Sequence, residues 1–243
     1  MIGGTFESLT AIWVYLAATP LIGLTLTLVA YLAGTWLQRR AGGSPLANPV
    51  LIAVALLAGV MLATGTAYET YFAGAQFVHF LLGPATVALA VPLYRQLKDV
   101  RRAAPAILGA TLFGSVFAAL SGYGLALLVG AAEETARSVA PKAITTPIAM
   151  GVAERIGGLP SLAAVVVILN GILGAVVVSW VLNRTGIKDW RARGFAAGLA
   201  ASGIGTARAM QVHPQAGAFA ALALGLNALA TALLLPLLMR LVG

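Results

Sequence analysis

The sequence has no cysteine among its 243 residues, only two histidines, and a charged fraction of just 9%. Lack of cysteine excludes disulfides and thiolate-ligated metal centres, and without a His/Asp/Glu cluster we expect no metal and no cofactor. No nucleophile–base pair, P-loop or dinucleotide fingerprint is present, so we do not expect an enzyme. Soluble domains carry about 25% charged residues, so the low charge excludes a soluble protein.

What the chain does have is apolar sequence: 60% of its residues are hydrophobic and its mean hydropathy is +0.95. The net charge of +8 would suggest nucleic acid in a soluble protein. Here the basic residues cluster between apolar runs, where membrane topology accounts for them and no nucleic-acid partner is expected. The composition therefore predicts an all-α, polytopic protein of the lipid bilayer.

Apolar runs long enough to cross a bilayer recur along the chain, since about 20 such residues suffice. We predict spans at residues 8–37, 49–66, 77–94, 103–132, 159–183 and 214–239, with loops at 67–76 and 95–102. The positive-inside rule places the basic loops in the cytoplasm, the N-terminus outside and the C-terminus in the cytoplasm.

Residues 133–158 must then start and finish on the outer side, which predicts a re-entrant hairpin or a pair of half-helices. The alternative is a single unwound crossing, which would leave four basic residues outside. Pro141 and Pro147 support irregular backbone here, because each removes a donor and disfavours a helical residue before it.

Between these helix-breaking prolines lie Lys142, Thr145 and Thr146, in an otherwise apolar stretch. An intramembrane charge beside hydroxyls and free N–H groups indicates a site for a small carboxylate. The alternative is a loop lysine that reaches lipid headgroups.

A second candidate segment, residues 202–208, contains Ser202, Gly205, Thr206 and Arg208. Glycine permits close approach of backbone to a ligand, and the arginine fork matches a carboxylate. The alternative is a packing helix whose arginine extends to the interface.

A third interrupted segment contributes Gly83, Pro84 and Thr86, of which Gly83 and Thr86 are candidate substrate contacts and Pro84 a helix breaker. Nearby His79 is a candidate proton relay, although an interfacial histidine is the simpler interpretation.

Two asparagines, Asn170 and Asn227, lie inside predicted spans. Such residues more often bond neighbouring helices than ligands, but Asn170 is kept among the substrate-binding candidates.

The two halves of the chain also show weak similarity. NPVLIA at residues 48–53 resembles LPSLAA at 159–164, and each begins a span that an interrupted segment follows. We interpret the chain as a single transmembrane domain, residues 1–243, with inverted repeats at about 45–130 and 156–243 and a binding site at mid-membrane.

Four motifs together resemble the LrgB/CidB family: FLLGPATVALAVPLY at 80–94, PKAITTPIA at 141–149, IGGLPS at 156–161 and GTARA at 205–209. A similar domain occurs in the plastid glycolate/glycerate translocator. Two departures stand out. The family's PKSVTTP reads PKAITTP here, and Ser202 replaces a histidine that commonly precedes GTAR, which weakens a proton-coupling interpretation.

The resemblance implies a multi-pass protein of the cell inner membrane. Relatives are described as antiholin-like modulators of murein hydrolase export that act with an LrgA/CidA-type protein, or as transporters of small monocarboxylates. We predict a secondary transporter of glycolate, glycerate, pyruvate or similar acids, acting by alternating access as a homodimer. The alternative is the antiholin-like regulator of cell lysis.

Overall fold

The computed structural model describes residues 20–44, 47–81, 94 and 97–242. These residues form nine α-helices and no strand, in two compact units, Met1–Ala88 and Leu89–Gly243. The first unit contains α1 (Pro20–Arg40), α2 (Pro49–Thr64) and α3 (Tyr68–Phe80). The second contains α4 (Leu97–Leu128), α5 (Glu133–Val139), α6 (Thr146–Arg155), α7 (Pro160–Arg184), α8 (Trp190–Val212) and α9 (Pro214–Val242).

Four of these helices, α1, α4, α7 and α9, are long and apolar enough to cross a membrane. Their outward faces carry many exposed large apolar side chains, which in water would be unfavourable and in lipid are not. The fold is therefore that of an all-α polytopic membrane protein, as the composition predicts. The predicted division into one domain with repeats at 45–130 and 156–243 includes residues outside the described part and stays a prediction.

In the first unit, α1 packs against both α2 and α3 through glycines that admit close backbone contact. A Cβ on Gly23 would lie 2.6 Å from the carbonyl oxygen of Tyr71, and the Tyr71 hydroxyl hydrogen-bonds Thr27 at 2.7 Å. The predicted loop at 67–76 is wrong, because residues 68–76 are the first part of α3. Glu69 in its first turn complements the helix dipole.

Several sequence candidates fall where the structure is not described. Gly83, Pro84 and Thr86 lie outside the described residues, and so does the side chain of His79, whose backbone belongs to α3.

The long helix α4 begins earlier than the apolar pattern indicates. The predicted basic loop extends to Arg102, but the helix starts at Leu97 and includes Lys98 and both arginines that follow it. Lysine and arginine are good helix formers, so a membrane helix readily extends beyond its apolar part. The amide of Gln215, at the start of α9, donates to the Asp99 carboxylate over 3.4 Å.

Residues 133–158 form a re-entrant hairpin, called hairpin 1, in which α5 and α6 are joined by a turn. Its two ends meet at the base: Nη1 of Arg137 donates to the carbonyl oxygen of Ile156 at 3.1 Å, and the Leu159 N–H donates to Oγ of Ser138 at 2.7 Å. Both ends of the segment therefore lie on one side, which confirms the re-entrant prediction over the single crossing.

A second re-entrant hairpin, hairpin 2, is made by α8 alone. Its backbone leaves helical geometry at Ala201 (φ −121°, ψ 17°) and Ser202 (φ 49°, ψ −140°). The rings of Trp190 and His213, at its two ends, stack in parallel with centroids 4.9 Å apart. An unbroken helix of this length would separate its ends by more than about 30 Å, so α8 turns back at the break.

The two hairpins enter the second unit from opposite ends of α7. Hairpin 1 leads directly into the start of α7, hairpin 2 follows its last turn, and α9 then returns antiparallel to α7. A hairpin followed by a long helix thus occurs twice, in opposite orientations. Because hairpin 2 does not cross, the chain ends on the side opposite residues 184–193. The expectation that both are cytoplasmic is wrong, since it requires residues 190–212 to cross.

The outgoing half of α8 runs parallel to the start of α9 at very short distance. A Cβ on Gly194 would collide with the carbonyl of Ala216, and one on Gly198 with the carbonyl of Ala220. Spacing of four residues places both glycines on one face, the small-xxx-small arrangement that lets membrane helices approach closely.

We predict that Gly198→Ala destabilises the protein, because the added methyl group meets backbone that cannot move aside. Overpacking of this kind costs about 1–3 kcal/mol, or a fall of several degrees in unfolding temperature. Gly203→Ala is the matched control on the same helix, since a Cβ there meets nothing within 4 Å. Thermal unfolding in detergent measures both, and equal unfolding temperatures for the two variants would contradict the packing described.

Candidate functional site

The tips of the two hairpins are joined by one buried side chain, the amide of Asn227 near the middle of α9. Only 1% of Asn227 is exposed. Its Nδ2 donates to the carbonyl of Ala143 in the turn of hairpin 1 at 3.0 Å, and to that of Leu199 beside the break in hairpin 2 at 2.9 Å. Its Oδ1 accepts from Ser115 at 2.7 Å and from Thr231 at 3.2 Å. Asn227 therefore links both hairpins to α4.

The break in hairpin 2 exposes backbone carbonyls that an intact helix would use internally. The carbonyl of Leu199 accepts a hydrogen bond from Nδ2 of Asn227, and the carbonyl of Ala200 accepts one from Nδ2 of Asn170 at 2.8 Å. The two asparagines that the sequence places inside spans thus cap the first half of the broken helix. The amide of Asn170, a predicted substrate contact, is engaged in this bond.

The ammonium group of Lys142 lies in the turn of hairpin 1, against α4. Its Nζ donates to the carbonyl of Ala118, and a Cβ on Gly122 would lie only 2.5 Å from it. Glycine at that position is what leaves room for the ammonium. The side chain is half-buried, and within the described residues it has no carboxylate partner.

Beside Lys142 begins α6, with Thr145 as its N-cap and Pro147 in its first turn. Proline there starts a helix rather than breaking one, while Pro141 follows the end of α5, so both predicted breakers bound the irregular turn. The hydroxyls of Thr145 and Thr146 are half-buried and make no hydrogen bond to any described residue, and the Thr145 side chain does not cap the helix. Lys142 and the two threonines thus share one turn, with the positive end of a helix dipole next to them.

The remaining candidates of the second segment have internal roles in hairpin 2. Ser202 supplies the positive φ of the break, and Gly205 lies against the Ala197 carbonyl of the opposite half-helix. The Thr206 hydroxyl donates to the carbonyl of Ser202 at 2.9 Å and lies 3.4 Å from that of Ala220. The Gly205 contact therefore joins the two halves of the hairpin, and Thr206 bonds its own half-helix and lies near α9.

The structure does not bring Arg208 to Lys142. Arg208 lies on the returning half of hairpin 2, next to Gln211 and residues at the hairpin's base, and none of its contacts is shared with Lys142. The two cations that the sequence offers for one carboxylate therefore belong to different environments.

Sequence reasoning missed the central role of Asn227 and the contribution of α4 to the site. Ser115, the Ala118 carbonyl and Gly122 all come from a helix whose sequence looks like an ordinary span. A small or polar residue at every third or fourth position of its second half is the only signal, and it is typical of any close helix contact.

Comparison with known proteins agrees with the motif resemblance. The model of the LrgB-like family matches residues 27–241. An antiholin-like protein LrgB of Bacillus mycoides is 31% identical over 226 residues, covering 93% of this chain and 98% of its own. An uncharacterized protein of Haemophilus influenzae is 36% identical over 195 residues, 80% of this chain and 84% of its own. No solved structure matches.

We predict that Asn227→Leu strongly destabilises the second unit, because it leaves two buried carbonyls without donors. Each unsatisfied group costs about 1–3 kcal/mol. Thr231→Val is the matched control, since it removes only one of two donors to Oδ1 at nearly constant shape. Thermal unfolding should rank wild type above Thr231→Val and that variant well above Asn227→Leu; the reverse order of the variants would exclude the linking role.

Proposed function

Because the chain belongs to the LrgB-like family, we propose that it is a secondary transporter whose substrate is a small monocarboxylate. The substrates we propose are 2-hydroxy and 2-oxo acids such as glycolate, glycerate or pyruvate. The observation that carries the proposal is Lys142, a half-buried cation without a carboxylate partner in the described residues, next to two unbonded threonine hydroxyls.

The chemistry of this turn suits an anion with a second oxygen function beside the carboxylate. The Lys142 ammonium has three donors, of which the Ala118 carbonyl accepts one. The others are available to a carboxylate, and the hydroxyls of Thr145 and Thr146 to the oxygen on the neighbouring carbon. An uncompensated cation in the membrane is costly, and an anionic substrate would offset that cost.

The hairpins supply the parts that alternating access requires. Each enters from one end of α7, and their tips are linked through the amide of Asn227. Withdrawal of one tip would open the turn around Lys142 to one side only. Transporters of inverted-repeat architecture bind substrate at such a place, where discontinuous helices meet near the midplane.

The name of the Bacillus relatives, antiholin-like protein LrgB, supports a second candidate function, that of an antiholin-like regulator. We propose that such a regulator would act with an LrgA/CidA-type membrane protein. A regulator of this kind would depend on its lipid-facing and oligomeric surfaces. It gives no reason for a half-buried lysine without a carboxylate partner, beside two threonine hydroxyls that make no hydrogen bond, among the described residues, and for that reason we favour transport.

We further propose the cell inner membrane as the location, with the N-terminus outside and residues 184–193 in the cytoplasm. A homodimer remains our proposal for the assembly. Proton coupling through His79 also remains a proposal. It is weakened by Ser202, which stands where members of the resembling family commonly have a histidine.

The first test is uptake of labelled pyruvate and glycolate into proteoliposomes that hold this chain alone, with and without a pH gradient. We expect saturable uptake, lost in Lys142→Met, which keeps the length of the side chain and removes the charge. Lys98→Met is the control, an exposed lysine at the start of α4. Uptake that survives Lys142→Met would exclude the site, and absence of uptake from folded protein, even with the LrgA-type partner present, would favour the regulator.

A second prediction concerns the room that α4 leaves for the ammonium. Gly122→Ala should displace Nζ of Lys142 from the Ala118 carbonyl and reduce uptake. The loss of stability should be smaller than in Gly198→Ala, because the closest neighbour is a flexible side chain and the Val139 carbonyl oxygen is 3.3 Å away. Gly124→Ala, on the same helix with nothing within 4 Å of its Cβ, should transport like wild type. Initial rates at a substrate concentration below KM compare the two, and equal rates would mean that the position of Lys142 is unimportant.

A further inference from the structure

A small cleft lies at the base of hairpin 2. Its cavity volume is about 30 Å³, and it lies between the last turns of α7, both halves of α8 and the start of α9. The side chains that bring polar atoms to it are those of Ser179, Trp190, Arg193 and Arg208. The cleft therefore holds two cationic side chains, and none of the described residues that line it is a carboxylate.

Arg208 is the residue that makes this cleft unusual. Its Nε is buried and has no hydrogen-bond partner, and it is the one such side-chain atom within the described residues. Its Nη1 reaches Gln211 only at 3.4 Å. A guanidinium has five donors and cannot lose its charge in a protein, so leaving one of its N–H groups buried and unpaired is unfavourable.

Arg193, by contrast, is held firmly in place. Its Nη1 donates to the carbonyl of Ile187 at 2.7 Å and its Nη2 to Oδ1 of Asn183 at 2.9 Å. Its guanidinium carbon lies 5.2 Å from the ring centroid of Trp190, which in turn stacks on His213. A fixed positive charge thus faces the cleft without further ordering on binding, which favours affinity.

The third polar group is the hydroxyl of Ser179. It is half-buried and makes no hydrogen bond to a described residue. Within a helix a serine commonly donates to a carbonyl of the preceding turn, so a free hydroxyl in a cleft with two arginines is available to a ligand.

We propose that this cleft is an oxyanion site, separate from the turn around Lys142, that takes a carboxylate or phosphate group. Arg208 donates through Nε and an Nη in the two-pronged geometry that such groups accept. Arg193 supplies a second charge, and Ser179 a single hydrogen bond. The anion is either a small free solute or the headgroup of an anionic lipid, since the cleft lies beside basic residues 184–193 and an aromatic ring typical of the membrane interface.

The inference does not depend on transport, because it concerns binding at residues that do not contact Lys142. The absence of cysteine from the chain makes it directly testable. Ser179→Cys introduces a single thiol into the cleft with almost no change in volume. The measured quantity is the rate at which a small anionic methanethiosulfonate reagent modifies that thiol in the purified full-length protein.

With free anions, we expect inorganic phosphate and acetate to slow modification of Ser179→Cys in a saturable way, relative to chloride at the same ionic strength. Thr185→Cys, on the exposed turn after α7, is the control and should show no protection. Adding Arg208→Gln to Ser179→Cys should weaken protection by about tenfold or more, the equivalent of one lost charged hydrogen bond. Arg191→Gln, an exposed arginine bound to Asp189, should leave it unchanged.

With lipid, the same rates are measured in vesicles of phosphatidylcholine alone and with added phosphatidylglycerol. Protection that appears only with phosphatidylglycerol identifies a headgroup, and protection by phosphate or acetate identifies a free anion; either result supports the site. An independent readout uses the cysteine-free wild type, whose unfolding temperature should rise with the same anions and should not in Arg208→Gln. Absence of protection in both arms, or protection that Arg208→Gln leaves intact, would overturn the proposal.

Discussion

The second unit depends on one hydrogen-bonding constraint, which is that every backbone group freed by the two hairpins must find a partner away from water. In lipid an unsatisfied carbonyl or N–H costs several kcal/mol. Asn227 meets this constraint where the tips face each other, with one N–H for Ala143 and one for Leu199. Its carbonyl oxygen is in turn satisfied by Ser115 and Thr231, so no atom of this buried amide is left without a partner.

The rest of the architecture follows from that arrangement. A break in α8 is tolerated because Asn170 and Asn227 cap the carbonyls that it frees. Those amides come from α7 and α9, so the broken helix has to lie between the two long helices. The glycines at 194 and 198 provide that contact, since they let α8 approach the backbone of α9. The glycines thus allow the helices to approach closely, and the asparagines provide the hydrogen bonds that the broken helix lacks.

Much of the fold could be predicted from the sequence, and the parts that could not be predicted were missed for physical reasons. The bilayer class, the long helices and the re-entrant course of residues 133–158 follow from hydropathy, charge distribution and two prolines. The second hairpin was visible as an interrupted segment but not as a turn-back, because its break contains no proline and depends on amides far away in sequence. The helix at Tyr68–Phe80 was missed since packing on α1, rather than local pattern, stabilises it.

The candidate site was likewise predictable in part from the sequence. The sequence pointed to Lys142, Thr145 and Thr146, which are near one another along the chain and remain so in space. It could not tell that Arg208 lies elsewhere, because a hairpin and a crossing helix with the same residues would place that side chain at different depths. Nor could it assign Asn227, since an asparagine in a span is equally compatible with a lipid-shielded contact between any two helices.

The chemistry of Asn227 also bears on how a carrier of the proposed kind would move. Its two amide hydrogens serve one tip each, so either hairpin can withdraw while the other keeps its bond. The withdrawing tip loses a single hydrogen bond, about 1–3 kcal/mol if nothing replaces it, and water entering the opened side would replace it. Simultaneous release of both tips would leave the amide with both donors unpaired beside buried Ser115 and Thr231, which is costlier. An amide at this position therefore makes opening to one side at a time less costly than opening to both, as the proposed alternating access would require.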